Sequence, residues 1–437
     1  MKATKRVCLN RQGSTLLGVM GFLFLAAGLV STILVLGSNH RKVSQEQYDM
    51  ERAMDVAEAG VERGARLIEA NITALSISST GATNGSGSIG AGTYAYVVTR
   101  TNNIYTIVST GTVNNVTRTV SLTRIYQPSY AEFALWSSNN ASLYFKDGET
   151  FNGHVHADTQ FYFDNSGGGP VFHSYVDSKA STYVGDITGI EFDKGLNLGT
   201  SQGTMADVNF SDTSSANCLK TDANSSSHGL VLDGTSTITF SGSSVKITNS
   251  RKSWSNHSWT IYSDSIIYVE NATSGSSDTA AKVYLTGGSV TGRLTVVSED
   301  DMYIRGNITY GTDPVAQPTS TDALALISKS DVWVDTTAPN NLTIDAAVMA
   351  TGQTSGTDGS FGVVNYDSGN PRGTLNVYGG IVQLIRGAVG TFDSHSGATT
   401  HGYAKNYSYD PRFINNPPPY FPVISDKVTF SQWSEGH

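Results

Sequence analysis

The segment His154-Val155-His156-Ala157-Asp158 repeats a polar side chain at every second residue, so an extended strand would put two imidazoles and a carboxylate on one side. His154, His156 and Asp158 therefore have a spacing that can coordinate a transition metal. Asp393, His395 and His401 form a looser group in a Gly/Ser stretch and read as solvated loop residues. Asp300, Asp301 and Asp331 recur at a corner of an internal repeat, where turn formation is the default reading and calcium binding the alternative. No G-x-S-x-G, P-loop or Cys-rich zinc pattern is present. Lys and Arg are sparse and scattered, whereas cleavage of acidic polysaccharide usually needs clustered bases or calcium carboxylates. No catalytic residue and no cofactor are expected.

The elements that carry these groups are short. Of 437 residues, 15% are charged and 45 are glycine, which argues against long solvated helices and for short strands joined by turns. The formal charge is −9, and setting aside Lys2, Lys5, Arg6 and Arg11 leaves −13 on the rest, a body that repels phosphate backbones. Nucleic acid is not an expected partner. Cys8 and Cys218 lie on opposite sides of an apolar run, so a disulfide framework is excluded; Cys218 reads as a small buried hydrophobe.

That apolar run extends from Ser14 to Leu36 without a charge, about 35 Å as a helix and long enough to span a bilayer. The basic residues before it outnumber Arg41 and Lys42 after it. An inner-membrane single pass with a cytoplasmic N-terminus follows, with everything after about residue 38 outside. A removable secretory signal fits poorly, because the run is too long and Val35-Leu36-Gly37 is not an A-x-A site. Downstream, Val43, Gln47, Met50, Met54, Ala57, Val61, Gly64, Ile68 and Ile72 recur at three and four, which continues one helix to about residue 74. Small residues at Ala53, Ala57, Gly60 and Gly64 suit either another helix approaching closely or packing on the chain's own sheet. Ser78–Gly92 reads as a mobile loop. Residues 93–100, 104–110 and 116–126 then read as an antiparallel meander.

Arg11-Gln12-Gly13 followed directly by the apolar helix resembles the leader of type IV prepilins. The resemblance implies that a prepilin peptidase cuts between Gly13 and Ser14. Major pilins carry a glutamate five residues into the mature chain, where this sequence has Gly18. The segment Ala53-Met54-Asp55-Val56-Ala57-Glu58-Ala59-Gly60 resembles the A-x-x-x-A-E-A-G signature of PilX-type minor pilins, which commonly lack that glutamate. Tyr105-Thr106-Ile107-Val108-Ser109-Thr110-Gly111 also looks like that family's sheet. The implied architecture is a long helix laid on a meander, with Gly18, Ala53, Ala57 and Gly60 packing in a filament and other pilin subunits as partners.

Beyond Pro128 no helical period is visible. Residues 128–227 read as an irregular β connecting region. Segments starting at Ile261, Val296 and Leu326 repeat a short apolar strand, a Ser-led corner and an aromatic strand, with starts 35 and 30 residues apart. Such units bury their faces by stacking, so residues 228–390 are expected to form a right-handed parallel β-solenoid, with a β-sandwich as the competitor. Residues 391–437 are expected to cap it. Tyr403, Lys405, Tyr407 and Tyr409 should share one strand face, and the Pro417-Pro418-Pro419 run should cross the solenoid end. These stretches resemble the tail of large PilX-type proteins whose outer domain has no assigned function. Phe151-Asn152-Gly153-His154-Val155-His156 resembles the same outer domains, and the resemblance implies that His156 ties a loop by hydrogen bonds. The expected function is a minor pilin or pilin-like subunit displaying a β body for adhesion to a surface glycan or partner protein. A membrane-anchored carbohydrate-active enzyme and a type II secretion pseudopilin are the alternatives.

Overall fold

The computed structural model describes residues 12–71, 80–101, 104–126, 128–138, 143–165, 167–200, 208–212, 218–274, 278–393, 398–424 and 432–436. The fold is mainly β, with one long N-terminal helix, an antiparallel stem sheet and a large domain of parallel sheets. Helix α1 spans Gln12–Asn71, about 90 Å at the standard rise. Its sheet holds β1 (Thr80–Ile89), β2 (Gly92–Thr101), β3 (Ile104–Val113) and β4 (Val116–Tyr126), antiparallel in chain order.

The sheet covers only the second part of α1. Ala53, Val56, Ala57, Val61 and Ile68 are buried against Tyr96, Val98, Tyr105, Ile107 and Val120, whereas Val43, Gln47 and Met50 of the expected stripe are exposed. Asp49 marks the boundary, accepting from Asn114 Nδ2 at 3.1 Å at the β3–β4 turn. Asn114 and Asn115 both have positive φ there, as a tight hairpin turn requires. The mobile loop expected at Ser78–Gly92 is, over residues 80–89, the edge strand β1. The glycines permit it: a Cβ on Gly85 or Gly87 would meet the Tyr96 or Tyr94 hydroxyl at 2.4 Å, so the two rings lie flat over the strand. Ile72 and residues 73–79 lie outside the described residues.

Short strands follow: β5 (Phe133–Ser137), β6 (Leu143–Phe145), β7 (Thr150–Phe151), β8 (His154–Ala157), β9 (Phe161–Phe163), β10 (Val171–Phe172), β11 (Val176–Ser178), β12 (Val184–Gly185), β13 (Glu191–Phe192) and β14 (Leu196–Leu198). They are not irregular. β5, β8, β11 and β14 pair in parallel, as do β6, β9 and β12, and β7, β10 and β13. Regularity begins about a hundred residues earlier than the sequence pattern suggested. Phenylalanine stacking replaces long strands: Phe151 lies on Phe172 and Phe172 on Phe192, with centroids 5.3 and 5.2 Å apart.

After helix α2 (Leu219–Ser225) come β15 (Gly229–Asp233), β16 (Ser236–Ser241), β17 (Ser244–Asn249), β18 (Trp254–Thr260), β19 (Ser265–Glu270), β20 (Val283–Leu285), β21 (Gly288–Val290), β22 (Arg293–Ser298), β23 (Met302–Ile304) and β24 (Ile308–Tyr310). The series continues with β25 (Ala323–Ser328), β26 (Val332–Val334), β27 (Leu342–Ala350), β28 (Phe361–Val363), β29 (Pro371–Gln383), β30 (Gly390–Phe392), β31 (Thr399–Tyr409) and β32 (Gln432–Gly436). The largest sheet runs β14-β11-β8-β5-β29-β27-β25-β22-β19-β15, parallel at every step. Such ladders do not fit the antiparallel sandwich alternative. The expected repeat holds for two copies, since Val296 pairs with Leu326 and Tyr303 with Trp333. It slips in the first, where Val296 faces Ile267 rather than Ile261. The antiparallel excursion β16-β17-β18 precedes β19 and displaces that register.

The strands of the largest sheet do not follow chain order. The chain enters the large sheet in the middle at β5, moves outward to β14, then returns to the opposite edge at β15 and advances back until β29 lies beside β5. One apolar core runs inside, shared by Leu135, Phe145, Phe172, Val296, Ile344 and Tyr403. A second covers the outer face, where Phe210, Leu219, Ala223, Phe413 and Phe421 lie on Ile266, Tyr268, Val297, Ile327 and Met349. Buried on both faces, β22 and β25 have no exposed position.

The C-terminal stretch does not cap an end. β31 pairs in parallel with β29, Pro417 and Pro419 accept from Arg293 and Thr295 on the sheet face, and β32 joins β4 in the stem. Burial explains this route: the apolar outer face of the parallel sheet needs cover along its length, and the proline run supplies carbonyls without needing ladder partners.

Candidate functional site

Two features stand out: the bare apolar part of α1 and the imidazole–carboxylate group on β8. From Thr15 to Tyr48 no side chain of α1 is buried. Leu17, Phe22, Phe24 and Leu25 are each more than 70% exposed, and no water-soluble fold leaves such a surface unpaired without a use. The apolar stretch is long enough to cross a membrane. Gly13 and Ser14 lie in the first turns of α1, and residues 1–11 lie outside the described residues. A Cβ on Gly18 would have open space around it.

The small-residue edge has another occupant. A Cβ on Gly111 would meet the Ala53 carbonyl at 2.3 Å and the Ala57 nitrogen at 2.4 Å; one on Gly60 would meet Ser109 Oγ at 2.1 Å. Ala53, Ala57 and Gly60 are thus buried against the chain's own β3, and of the two packings open in the sequence the structure takes this one. Only Gly18 of the proposed filament-packing set is free to meet another helix.

On β8, Val155 and Ala157 face the inner core, which turns His154 and His156 to the outer face beside Phe133 and Trp136. Ring centroids are 4.2 Å apart for Phe133–His154 and 4.0 Å for Trp136–His156. Parallel register places Asp177 of β11 opposite His156. His156 Nδ1 contacts Asp177 Oδ1, its Nε2 lies 3.0 Å from Asp158 Oδ1, and His154 Nε2 lies 2.6 Å from Asp177 Oδ2. Lys179 closes the group, 2.8 Å from Asp158. Burial alone would lower the His156 pKa, but hydrogen bonds and charge from Asp158 and Asp177 outweigh it and raise it above the ordinary imidazole value. Asp177, despite burial that raises it, is drawn down to about 2 by the two imidazoles. Both His156 nitrogens face carboxylates and His154 reaches one of the same pair, so these side chains tie β8 to β11 by hydrogen bonds.

The corner aspartates make hydrogen bonds from one strand row to the next. Asp331 Oδ1 accepts from the Ser360 amide at 2.7 Å, and Asp301 Oδ1 reaches the Asp331 amide at 3.4 Å, so each corner carboxylate holds the next tier. Asp393 and His401 lie on or beside β30 and β31, and His395 lies outside the described residues. Cys218 is buried and free. Sequence spacing missed a second charged group, where Glu149 lies 3.2 Å from Lys405 and 3.3 Å from Arg386 at the junction of β7 with β31. Of the aromatic residues expected on one face with Lys405, Tyr403 and Tyr407 pack on the inner core whereas Tyr409 packs in the outer-face cluster; burial together with Arg386 lowers the Lys405 pKa to about 8.

No family model and no curated protein matches the chain. Among solved structures, the competence-associated pilin ComZ from Thermus thermophilus is similar at 12% identity, covering 89% of this chain and 98% of that one, with a TM-score of 0.35. An overlap of this size does not fix a shared fold.

Proposed function

We propose that this chain is a minor pilin or pilin-like subunit of a type IV pilus or related filament. The carrying observation is α1 itself: its apolar part is wholly bare, while the part from Asp49 onward is clamped by its own sheet. One rod can then sit first in a bilayer and later among other pilin helices. In this reading a prepilin peptidase removes residues 1–13, the N-terminus faces the cytoplasm, and the remainder lies outside. The parallel tiers are coils of a β-solenoid, which presents an extended acidic face to a glycan or partner protein and works by contact and not by turnover. The parallel register of β5–β14 and β15–β29 supports the solenoid.

Two measurements test this. Deleting prepilin peptidase should leave the mature chain longer by about 13 residues, and the chain should copurify with sheared surface filaments. An N-terminus that is the same with and without the peptidase removes the reading.

A further inference from the structure

The end of the tier stack carries a second imidazole–carboxylate group of a different kind. β13 is the outermost strand of the sheet β13-β10-β7 and spans only Glu191–Phe192. Val171 pairs with Glu191 and Phe172 with Phe192, so His173 follows directly beside Asp193. Phe172 and Phe192 point inward and stack with planes 2° apart, which sets the two strands in register. Glu191 and Asp193, two residues apart, share the other side with His173. His173 Nδ1 lies 2.9 Å from Asp193 Oδ2, and the Glu191 carboxyl also reaches Asp193. One donor atom from each residue lies within 4.8 Å of the other two.

The contrast with His156 is chemical. There, one buried ring is used up by two carboxylates on opposite nitrogens. Here, one nitrogen and two carboxylates converge on one outward-facing point with all three side chains exposed, so an ion can enter and hydrated ligands can complete its shell. Two like charges held this close are mutually unfavourable, and a cation between them relieves the repulsion. A donor set of one imidazole and two carboxylates suits zinc or manganese better than calcium, which prefers six to eight oxygens.

We propose that His173, Glu191 and Asp193 bind a divalent transition-metal ion that clips the last tier of this run to the one before it. Terminal units are the weakest place in a stacked array, and the two-residue strand β13 contributes few ladder bonds of its own. Coordination across the β10–β13 step would supply what a longer strand supplies elsewhere.

The test uses untagged, metal-stripped, full-length protein in detergent, titrated with zinc chloride and separately with calcium chloride. Zinc should bind, and His173→Ala, Glu191→Gln and Asp193→Asn should each weaken it by at least about tenfold. His257→Ala, which removes an exposed imidazole elsewhere, should leave it unchanged. In the unaltered protein zinc, but not calcium, should slow hydrogen exchange at the Asp193 amide, which donates to the Phe172 carbonyl across the clipped step. Zinc affinity that is absent, or equal in all variants, overturns the site. Binding without added exchange protection overturns the clip.

Discussion

His156 and Asp177 stand opposite each other in the β8–β11 ladder, and the same ring reaches Asp158 through its other nitrogen. This fixes a pH dependence. The folded His156 pKa lies above its unfolded value of about 6.5, so its contribution is complete below that pH and is lost as pH rises through the folded value. Asp177 is depressed to about 2, so its contribution is complete above the unfolded value and is lost as pH falls toward 2. Urea midpoints should therefore fall on the alkaline side, and His156→Gln should flatten that limb while costing about 3–5 kcal/mol. An unaltered alkaline slope in the variant would place its origin elsewhere.

The helix and the meander were legible because their signals are local: a charge-free run, small residues at three and four, and turns of Asn between β-branched runs. What failed was non-local. Asp177 is 21 residues from His156 and meets it only through register. β1 hides its strand character in glycine and serine because the partner rings of Tyr94 and Tyr96 supply the cover. The strands after β5 in this run are two to four residues long and held by Phe145, Phe151 and Phe172, too short for any alternation to show. The entry of the chain into mid-sheet at β5 leaves no sequence trace at all, since the strands pair in the same parallel way at the middle and at the edge of the sheet.

Gly111 and Gly18 should separate fold from assembly. Gly111→Val drives a side chain into the backbone of Ala53 and Ala57, and should lower stability by about 1–3 kcal/mol in thermal unfolding. Gly18→Val meets nothing within the chain and should leave unfolding unchanged. If α1 packs among other helices in a filament, Gly18→Val should instead reduce the amount recovered with sheared filaments.

Glu149 is the only carboxylate among the described residues ion-paired to both Lys405 and Arg386. Glu149→Gln leaves two half-buried cations facing each other and should cost about 3–5 kcal/mol. Lys405→Met should be close to neutral, because the folded site already disfavours the charged ammonium. The sign follows from its lowered pKa: the penalty is present below about 8 and is relieved as pH rises toward the unfolded lysine value. Denaturation at neutral and alkaline pH distinguishes the two variants; equal losses would contradict the assignment.

Asp331 holds the Ser360 amide and hydroxyl at 2.7 and 3.1 Å across one tier step. Removing the carboxylate leaves a buried N–H without its acceptor, so Asp331→Ala should cost about 1–3 kcal/mol. Added calcium should not restore it, because the lost interaction is a hydrogen bond and not a coordination bond. Recovery of the melting temperature with calcium would revive the calcium reading of the corner aspartates.

The bare part of α1 contributes nothing to the fold that carries it. Every side chain from Thr15 to Tyr48 lies off the stem sheet, and the first buried contact is Asp49 with Asn114. A chain starting at residue 41 should therefore keep the melting temperature of the full-length protein while losing its need for detergent, because the apolar surface removed was never part of either core. Helix fraying should reach no further than the Asp49 contact, since beyond it Ala53 and Ala57 are pinned by Gly111. The truncated protein should also be absent from membranes and from sheared filaments. A large drop in melting temperature on truncation would mean that the apolar rod packs on its own body, and the independence of rod and folded body would fail with it.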